Sequence, residues 1–274
     1  MKQIYSPGIA LEFFKAAGKP EKVPQGSTFF AENQKARPYF FMRDKMYLLL
    51  DGEVELMARR KNIGTVKKGQ IFGEMTSITH APRSASAVAK TPCRVIALDD
   101  KQFHAGLRKQ PAFALMLMSI MIGRLRETIA KLAEQTTLRG DAVLKESAVF
   151  DPQRLAELAE GLGSDEPVYF DRGKSIVQEG QVGLRMYAVI EGRVAISIGG
   201  GGVIERLGPG GVFGELALLE QTPRMASAVA DTDCSLLPIN RTALLLLVKT
   251  NPEFAETLLG SLAERLRLLT SRLK

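Results

Sequence analysis

Apolar positions in this chain change their period from stretch to stretch. Short runs at Met46–Leu50 and Met186–Ile190, followed by Gly52–Met57 and Gly192–Ile198, are β-type sequence broken by glycine and predict strands. The turn residues among them (Asp51-Gly52, Glu191-Gly192, Gly199 to Gly202, Gly208 to Gly211) are spaced as in a small antiparallel barrel or jelly roll. Residues 111–134 and 252–273 then switch to apolar spacings of three and four. Each begins with proline, Pro111 or Pro252, where the missing N–H costs a helix least. The pattern predicts a β-barrel followed by a helix, twice. In the first of these helices Leu115, Met118, Ile122, Leu125, Ile129 and Leu132 make a heptad seam, which needs a partner. Packing on the chain's own domains and a homodimer satisfy it equally well.

The doubling is also literal. Laying Phe72-Gly73-Glu74 on Phe213-Gly214-Glu215 brings Pro82-Arg83 onto Pro223-Arg224 and Ala85–Ala89 onto the identical run Ala226–Ala230. The same shift matches Thr91 and Cys93 with Thr232 and Cys234, Pro111, Phe113 and Ala114 with Pro252, Phe254 and Ala255, and Arg124-Leu125-Arg126 with Arg265-Leu266-Arg267. Upstream it slips by one residue, and Tyr47, Gly52 and Val54 fall on Tyr187, Gly192 and Val194. So long a period means duplicated domains rather than a solenoid. The expected layout is a first domain with its C-terminal helix at 1–138, a linker and N-terminal helix at 139–165, and a second domain with its C-terminal helix at 166–274.

Composition narrows the setting. A chain of 274 residues, 45% apolar and 24% charged, suits two compact soluble domains. No segment approaches the roughly 20 apolar residues of a membrane span, and residues 1–20 lack a signal-peptide core. Cys93 and Cys234 lie far apart and are expected as free thiols in a reducing cytoplasm. The net charge of +7 admits an anionic partner. The basic residues are scattered, however, and the knots Arg59-Arg60-Lys61 and Lys67-Lys68 read as solvated hairpin edges rather than a nucleic-acid patch.

The chemistry is carried by Gly69–Ala87 and its echo Gly210–Ala228. A glycine before a glutamate at the start of a short helical turn (Gly73-Glu74, Gly214-Glu215) leaves backbone N–H groups free to receive an anion. At the same distance downstream in both copies, a proline fixes the chain before Arg83 or Arg224, whose planar fork grips phosphate oxygens at two points. The glutamate repels phosphate, but its carboxylate is a pure acceptor suited to a ribose hydroxyl. Amides and arginine for phosphate, with glutamate for sugar, describe a nucleotide whose phosphate lies close to its ribose.

These two segments resemble the phosphate-binding cassette of the cyclic-nucleotide-binding domain family, which includes the regulatory subunits of cyclic-AMP-dependent kinase, cyclic-GMP-dependent kinase, and the bacterial catabolite activator and related regulators. The resemblance spans about 26–138 and 169–273 and implies two jelly rolls (double-stranded β-helices) in tandem, mainly β with flanking helices. It further implies that Glu74 and Glu215 hold the ribose 2′-hydroxyl and that Arg83 and Arg224 hold the cyclic phosphate of cyclic AMP or cyclic GMP. Gly73, Met75, Gly214 and Leu216 would supply or shape the backbone amides. Copy two, Glu215-Leu216-Ala217-Leu218, is close to the family pattern; copy one, with Met75-Thr76-Ser77, is more polar. Copy one also has a longer interval from Glu32 to Tyr47 than copy two has from Glu179 to Tyr187, and lacks the Glu179-Gly180 pair. In the family a hydroxyl after the arginine assists guanine recognition; here the residues are Ser84 and Met225. Methionine cannot donate, which points to cyclic AMP at site two and leaves site one open.

Other activities lack their residues. After the second helix the chain reaches Lys274 with no helix-turn-helix, so direct sequence-specific DNA binding is not expected. His80 and His104 have no counterparts in copy two, and the cysteines sit at equivalent barrel positions, so neither catalysis nor a metal or cofactor site is expected. Gly173-Lys174-Ser175 lacks the upstream glycine of a P-loop, Val168 standing in its place. The expectation is a cytoplasmic, non-enzymatic receptor whose helices rearrange on ligand binding to regulate an effector protein. A cyclic-dinucleotide receptor and a nucleotide-independent scaffold are the alternatives.

Overall fold

The computed structural model describes residues 6–35, 44–134, 150–151, 166–199 and 202–272. The linker expected at 139–165 lies outside the described residues except at 150–151, as does 36–43 within the long interval of copy one. The chain divides into two compact units, Met1–Ile120 and Met121–Lys274.

Unit one opens with helix α1 (Pro7–Ala17), followed by strands β1 (Lys19–Val23), β2 (Thr28–Phe30), β3 (Lys45–Asp51), β4 (Val54–Ala58), β5 (Lys61–Val66) and β6 (Ile71–Phe72). Helix α2 (Glu74–Thr79) interrupts the strands before β7 (Ser86–Ala89) and β8 (Cys93–Asp99), α3 (Asp100–Lys109) follows, and α4 (Pro111–Glu134) begins in unit one and belongs to unit two from Met121 onward. The strands form two four-stranded antiparallel sheets, β1-β8-β3-β6 and β2-β7-β4-β5, the two halves of a jelly roll.

Unit two repeats the order with β9 (Val168–Phe170), β10 (Ser175–Val177), β11 (Arg185–Glu191), β12 (Val194–Ile198), β13 (Gly202–Leu207), β14 (Val212–Phe213), α5 (Glu215–Glu220), β15 (Ser227–Ala230), β16 (Cys234–Asn240), α6 (Arg241–Thr250) and α7 (Pro252–Arg272). Its sheets, β14-β11-β16-β9 and β10-β15-β12-β13, have the same connectivity. The expected tandem of mainly β jelly rolls with flanking helices is the fold.

Local chemistry explains the turns. Gly52 and Gly192, expected as turn residues that break the β-type runs, stand between strands at φ 92° and 81°. A Cβ there would lie 2.5 Å from the Pro92 carbonyl oxygen and 2.1 Å from that of Asp233, so only glycine fits both the backbone and the space. Arg59 and Arg60 turn the β4–β5 hairpin with left-handed φ of 51° and 64°, and together with Lys61, Lys67 and Lys68 they are exposed, as a solvated edge requires.

Two helices, not one, follow each barrel. The short first ones were missed, although their caps are legible. Asp99 accepts from the Gln102 amide while the Gln102 side chain accepts from the Asp99 amide, and Asn240 accepts from the Ala243 amide. In unit one these helices pack through Phe13, Phe14, Phe103 and Phe113, the rings of Phe13 and Phe113 stacking at 3.6 Å. Of the proposed seam, Met118, Ile122, Leu125, Ile129 and Leu132 are buried within the single chain and Leu115 is half-buried. In unit two Phe150 stacks on Phe254 of α7, and its amide donates to the Gly210 carbonyl. Cys93 and Cys234 are free thiols buried at the first residues of β8 and β16, where burial pushes both thiols up from their ordinary range.

Candidate functional site

Each barrel interrupts its strands with a six-residue helix, α2 or α5, capped at its start by a left-handed glycine: Gly73 at φ 78° and Gly214 at φ 85°. A Cβ on Gly214 would lie 2.5 Å from Arg224 Nη1, and one on Gly73 would meet the Phe30 ring at 2.9 Å and Arg83 Nη1 at 3.1 Å. These glycines therefore let the arginine approach the backbone as well as set the turn. The helix then places Glu74 and Glu215 inward, at 4% and 1% exposure, and the segment leading into β7 or β15 places Arg83 and Arg224 beside them, at 4% and 7%. The arginine backbone is clipped to the preceding loop identically in both copies. Arg83 N–H donates to the Gln34 carbonyl and Asn33 N–H to the Arg83 carbonyl; Arg224 N–H donates to Gln181 and Gly180 N–H to Arg224. Asn33 takes the left-handed conformation that Gly180 has in copy two, φ 61° against 83°, so the missing glycine of copy one is replaced in kind.

The sequence-selected glutamate and arginine are thus brought together in both copies. Met75 and Leu216 follow them half-buried, as does Met225 after Arg224, while Ser84 after Arg83 is exposed.

The surroundings of the two arginines differ. Arg83 Nη1 donates to the Gly73 carbonyl at 2.8 Å, and Nη2 donates to the Lys45 carbonyl at 2.9 Å and to Asp44 Oδ1 at 3.3 Å. The Phe30 ring lies 4.2 Å from its guanidinium carbon, within cation–π range. Arg224 Nη1 donates to the Gly214 carbonyl at 2.7 Å and Nη2 to that of Arg185. Leu184, 79% exposed, precedes β11 where Asp44 precedes β3, and Val177, paired with Ala228, stands where Phe30 pairs with Ala87. A Cβ on Gly183 would lie 2.0 Å from Arg224 Nε, so this glycine makes the room for the arginine side chain. Burial lowers the pKa of both arginines. Asp44, Tyr47 and Glu74 partly offset this for Arg83, and Tyr187 and Glu215 for Arg224. Each is a buried cation that an added anion would stabilise. The Tyr47 hydroxyl, buried in the aromatic group of Phe29, Phe30 and Phe72, is pushed up to about 12.

Glu215 has a cation of its own. Glu215 Oε1 accepts from Arg265 of α7, whose other contacts are Glu205 of β13 at 2.8 Å and the Val212 carbonyl at 3.0 Å. Burial opposes the Arg265 charge, but the two carboxylates more than offset it and hold its pKa above the ordinary arginine value. In copy one the matching Arg124 is exposed, and Gly64 stands where Glu205 does. Among the described residues, Glu215 Oε2 and Arg83 Nε are buried without a hydrogen-bonding partner. One is an acceptor awaiting a donor, the other a donor awaiting an acceptor. Asp44, Phe30, Gly183 and Arg265 were not singled out from sequence. Arg265 was aligned with Arg124, but its helical position alone did not connect it to Glu215.

Residues 20–110 and 167–251, each containing one of these cassettes, match the cyclic nucleotide-binding domain family. The chain belongs to that family. A cAMP-dependent protein kinase regulatory subunit of Eremothecium gossypii is 28% identical over 82% of this chain and 42% of its own length. The CRP-like cAMP-activated global transcriptional regulator of Mycobacterium tuberculosis is 34% identical over 48% of this chain and 61% of its own. The chain thus spans less than two thirds of the length of either relative. Among solved structures, the regulatory domain of Toxoplasma gondii PKA, co-crystallised with cAMP, is 22% identical, with a TM-score of 0.33 over 93% of this chain and 88% of that one. Among the described residues, no group of three or more histidine, cysteine, aspartate and glutamate side chains able to hold a metal ion occurs. No described helix is long and apolar enough to cross a membrane.

Proposed function

We propose that the chain is an intracellular receptor for a cyclic mononucleotide, read by two unequal sites and reported to an effector protein through the helices that follow each barrel. The observation that carries this reading is a buried, unpartnered polar atom in each cassette among the described residues: a carboxylate oxygen at Glu215 in cassette two and a guanidinium N–H at Arg83 in cassette one. A ribose hydroxyl supplies the first with a donor and a phosphate supplies the second with an acceptor. Glu74 and Glu215 would take the 2′-hydroxyl and Arg83 and Arg224 the cyclic phosphate, with Gly73, Met75, Gly214 and Leu216 shaping the first-turn amides. Met225 offers no donor to a guanine and so favours cyclic AMP at site two, whereas Ser84 leaves site one open to cyclic GMP. Free buried thiols fit a cytoplasmic setting. Burial of five seam residues within one chain favours internal packing of α4 over a homodimer. Arg265 ties Glu215 to α7, so a ligand that binds one placement of this helix better than another shifts the equilibrium between them.

Calorimetric titration of the wild type, Arg83→Ala and Arg224→Ala proteins with cyclic AMP and cyclic GMP tests the reading. Two binding events, each abolished or weakened at least about 30-fold by its own arginine change, are expected from the loss of a charge-assisted pair. Absence of heat and of thermal stabilisation with either ligand overturns the reading. A cyclic dinucleotide that binds instead would establish the alternative receptor, and no response to either class would favour a scaffold.

A further inference from the structure

Cassette two has a brace that cassette one lacks. Arg126 of α4 donates from Nη2 to Glu220 Oε2 at 2.7 Å and to Thr222 Oγ1 at 2.6 Å, all three residues belonging to the second unit. Glu220 is the last residue of α5, the helix that begins at Glu215. Thr222 also closes that helix, its amide donating to the Ala217 carbonyl, and it lies two positions before Arg224. One guanidinium therefore holds the cassette between its glutamate and its arginine. In cassette one Thr79 and Ala81 replace Glu220 and Thr222, and Arg267, the repeat of Arg126, pairs with Glu264 of its own helix. Neighbouring Leu125, Ile129 and Leu132 are buried, so the stretch of α4 that carries Arg126 is itself anchored.

We infer that Arg126 is a positioning residue for site two: it fixes the spacing of Glu215 and Arg224 before a nucleotide arrives, so that less ordering remains to be done on binding. The inference rests on the reading of the cassettes as cyclic-nucleotide sites. Because α4 is also the helix that leaves the first barrel, its docking through Arg126 and occupancy of site two are one linked equilibrium.

Titration of the full chain with cyclic AMP tests this. Arg126→Ala is expected to weaken site two about five- to tenfold and leave site one unchanged. Glu220→Gln should weaken it in the same direction, and the double variant should lose less than the product of the two effects, as coupled residues do. Arg267→Ala should bind as the wild type does. Hydrogen exchange adds a readout that a loss of stability alone would not produce. Cyclic AMP should slow exchange of amides 121–134 in the wild type but not in Arg126→Ala. Wild-type binding with unchanged site-two affinity in Arg126→Ala overturns the positioning role alone. A wild type that binds no cyclic AMP overturns both the role and the reading beneath it.

Discussion

In cassette one the arginine is the compensated charge: Arg83 faces Asp44, stacks on Phe30 and spends three of its N–H groups on protein acceptors. In cassette two Arg224 meets only two backbone carbonyls and no acidic side chain within ion-pair distance among the described residues, while Glu215 is paired with Arg265. Arginine has five such groups, so Arg83 retains two for a ligand and Arg224 three. The same Phe-Gly-Glu and Pro-Arg framework has thus been set into two electrostatic frames. The frame, not the motif, decides what each pocket asks of a ligand. Cassette two asks for an anion to neutralise Arg224 and a hydroxyl to meet Glu215 Oε2, and cassette one asks chiefly for an acceptor at Arg83 Nε. Unit two should therefore gain more stability from a nucleotide than unit one.

Arg265→Ala should break the comparison most severely. It leaves the buried Glu215 and the half-buried Glu205 without their shared cation, a change that costs about 3–5 kcal/mol in unit two. Arg124→Ala, at the exposed counterpart, should cost less than about 1 kcal/mol. Chemical denaturation followed by amide exchange resolves the two units. A uniform loss across both units, or none, would mean that the latch does not organise cassette two.

Asp44→Ala is the matching test for cassette one and should be milder, about 2 kcal/mol, because Arg83 keeps the Gly73 and Lys45 carbonyls. Its sharper signature is linkage. With Asp44 gone, the bound phosphate becomes the main counter-charge of Arg83, so thermal stabilisation by saturating cyclic nucleotide should exceed that of the wild-type unit one. Equal ligand-induced shifts in variant and wild type would show that Asp44 and the phosphate do not act on the same charge.

Legibility from sequence follows the same division. The repeat exposed both cassettes because Glu74, Arg83, Glu215 and Arg224 are fixed by local turn chemistry: left-handed glycine, short helix, proline before arginine. The strand pairs and the long helices α4 and α7 were legible for a related reason, their period and their opening prolines being local signals. What remained hidden is contributed from far along the chain. Asp44 reaches Arg83 across 39 positions, and Arg265 reaches Glu215 across 50. Neither contact has a period or a spacing, only a fold that brings them together. The helices α3 and α6 fall between the two cases, since Asp99 with Gln102 and Asn240 are local caps that a search for helix starts would have found.

The smallest effect concerns Ser77, buried in α2 with its Oγ unpartnered among the described residues, where cassette two has the buried Leu218. A serine inside a helix ordinarily satisfies its hydroxyl on the carbonyl four residues back. Here that carbonyl belongs to Gly73, which already accepts from Arg83 Nη1, so Arg83 and the serine compete for one acceptor and the charged donor holds it. Removing the hydroxyl should therefore help rather than harm: Ser77→Ala should stabilise unit one by about 1 kcal/mol in urea, the desolvation cost of an unmet hydroxyl, with the slope unchanged. In Arg83→Ala the Gly73 carbonyl is released to Ser77, and the same serine-to-alanine change should then become destabilising by a similar amount. A change of sign between the two backgrounds would establish the competition. The same sign in both would place the serine hydroxyl outside the arginine's network and make the polarity of cassette one independent of its charge.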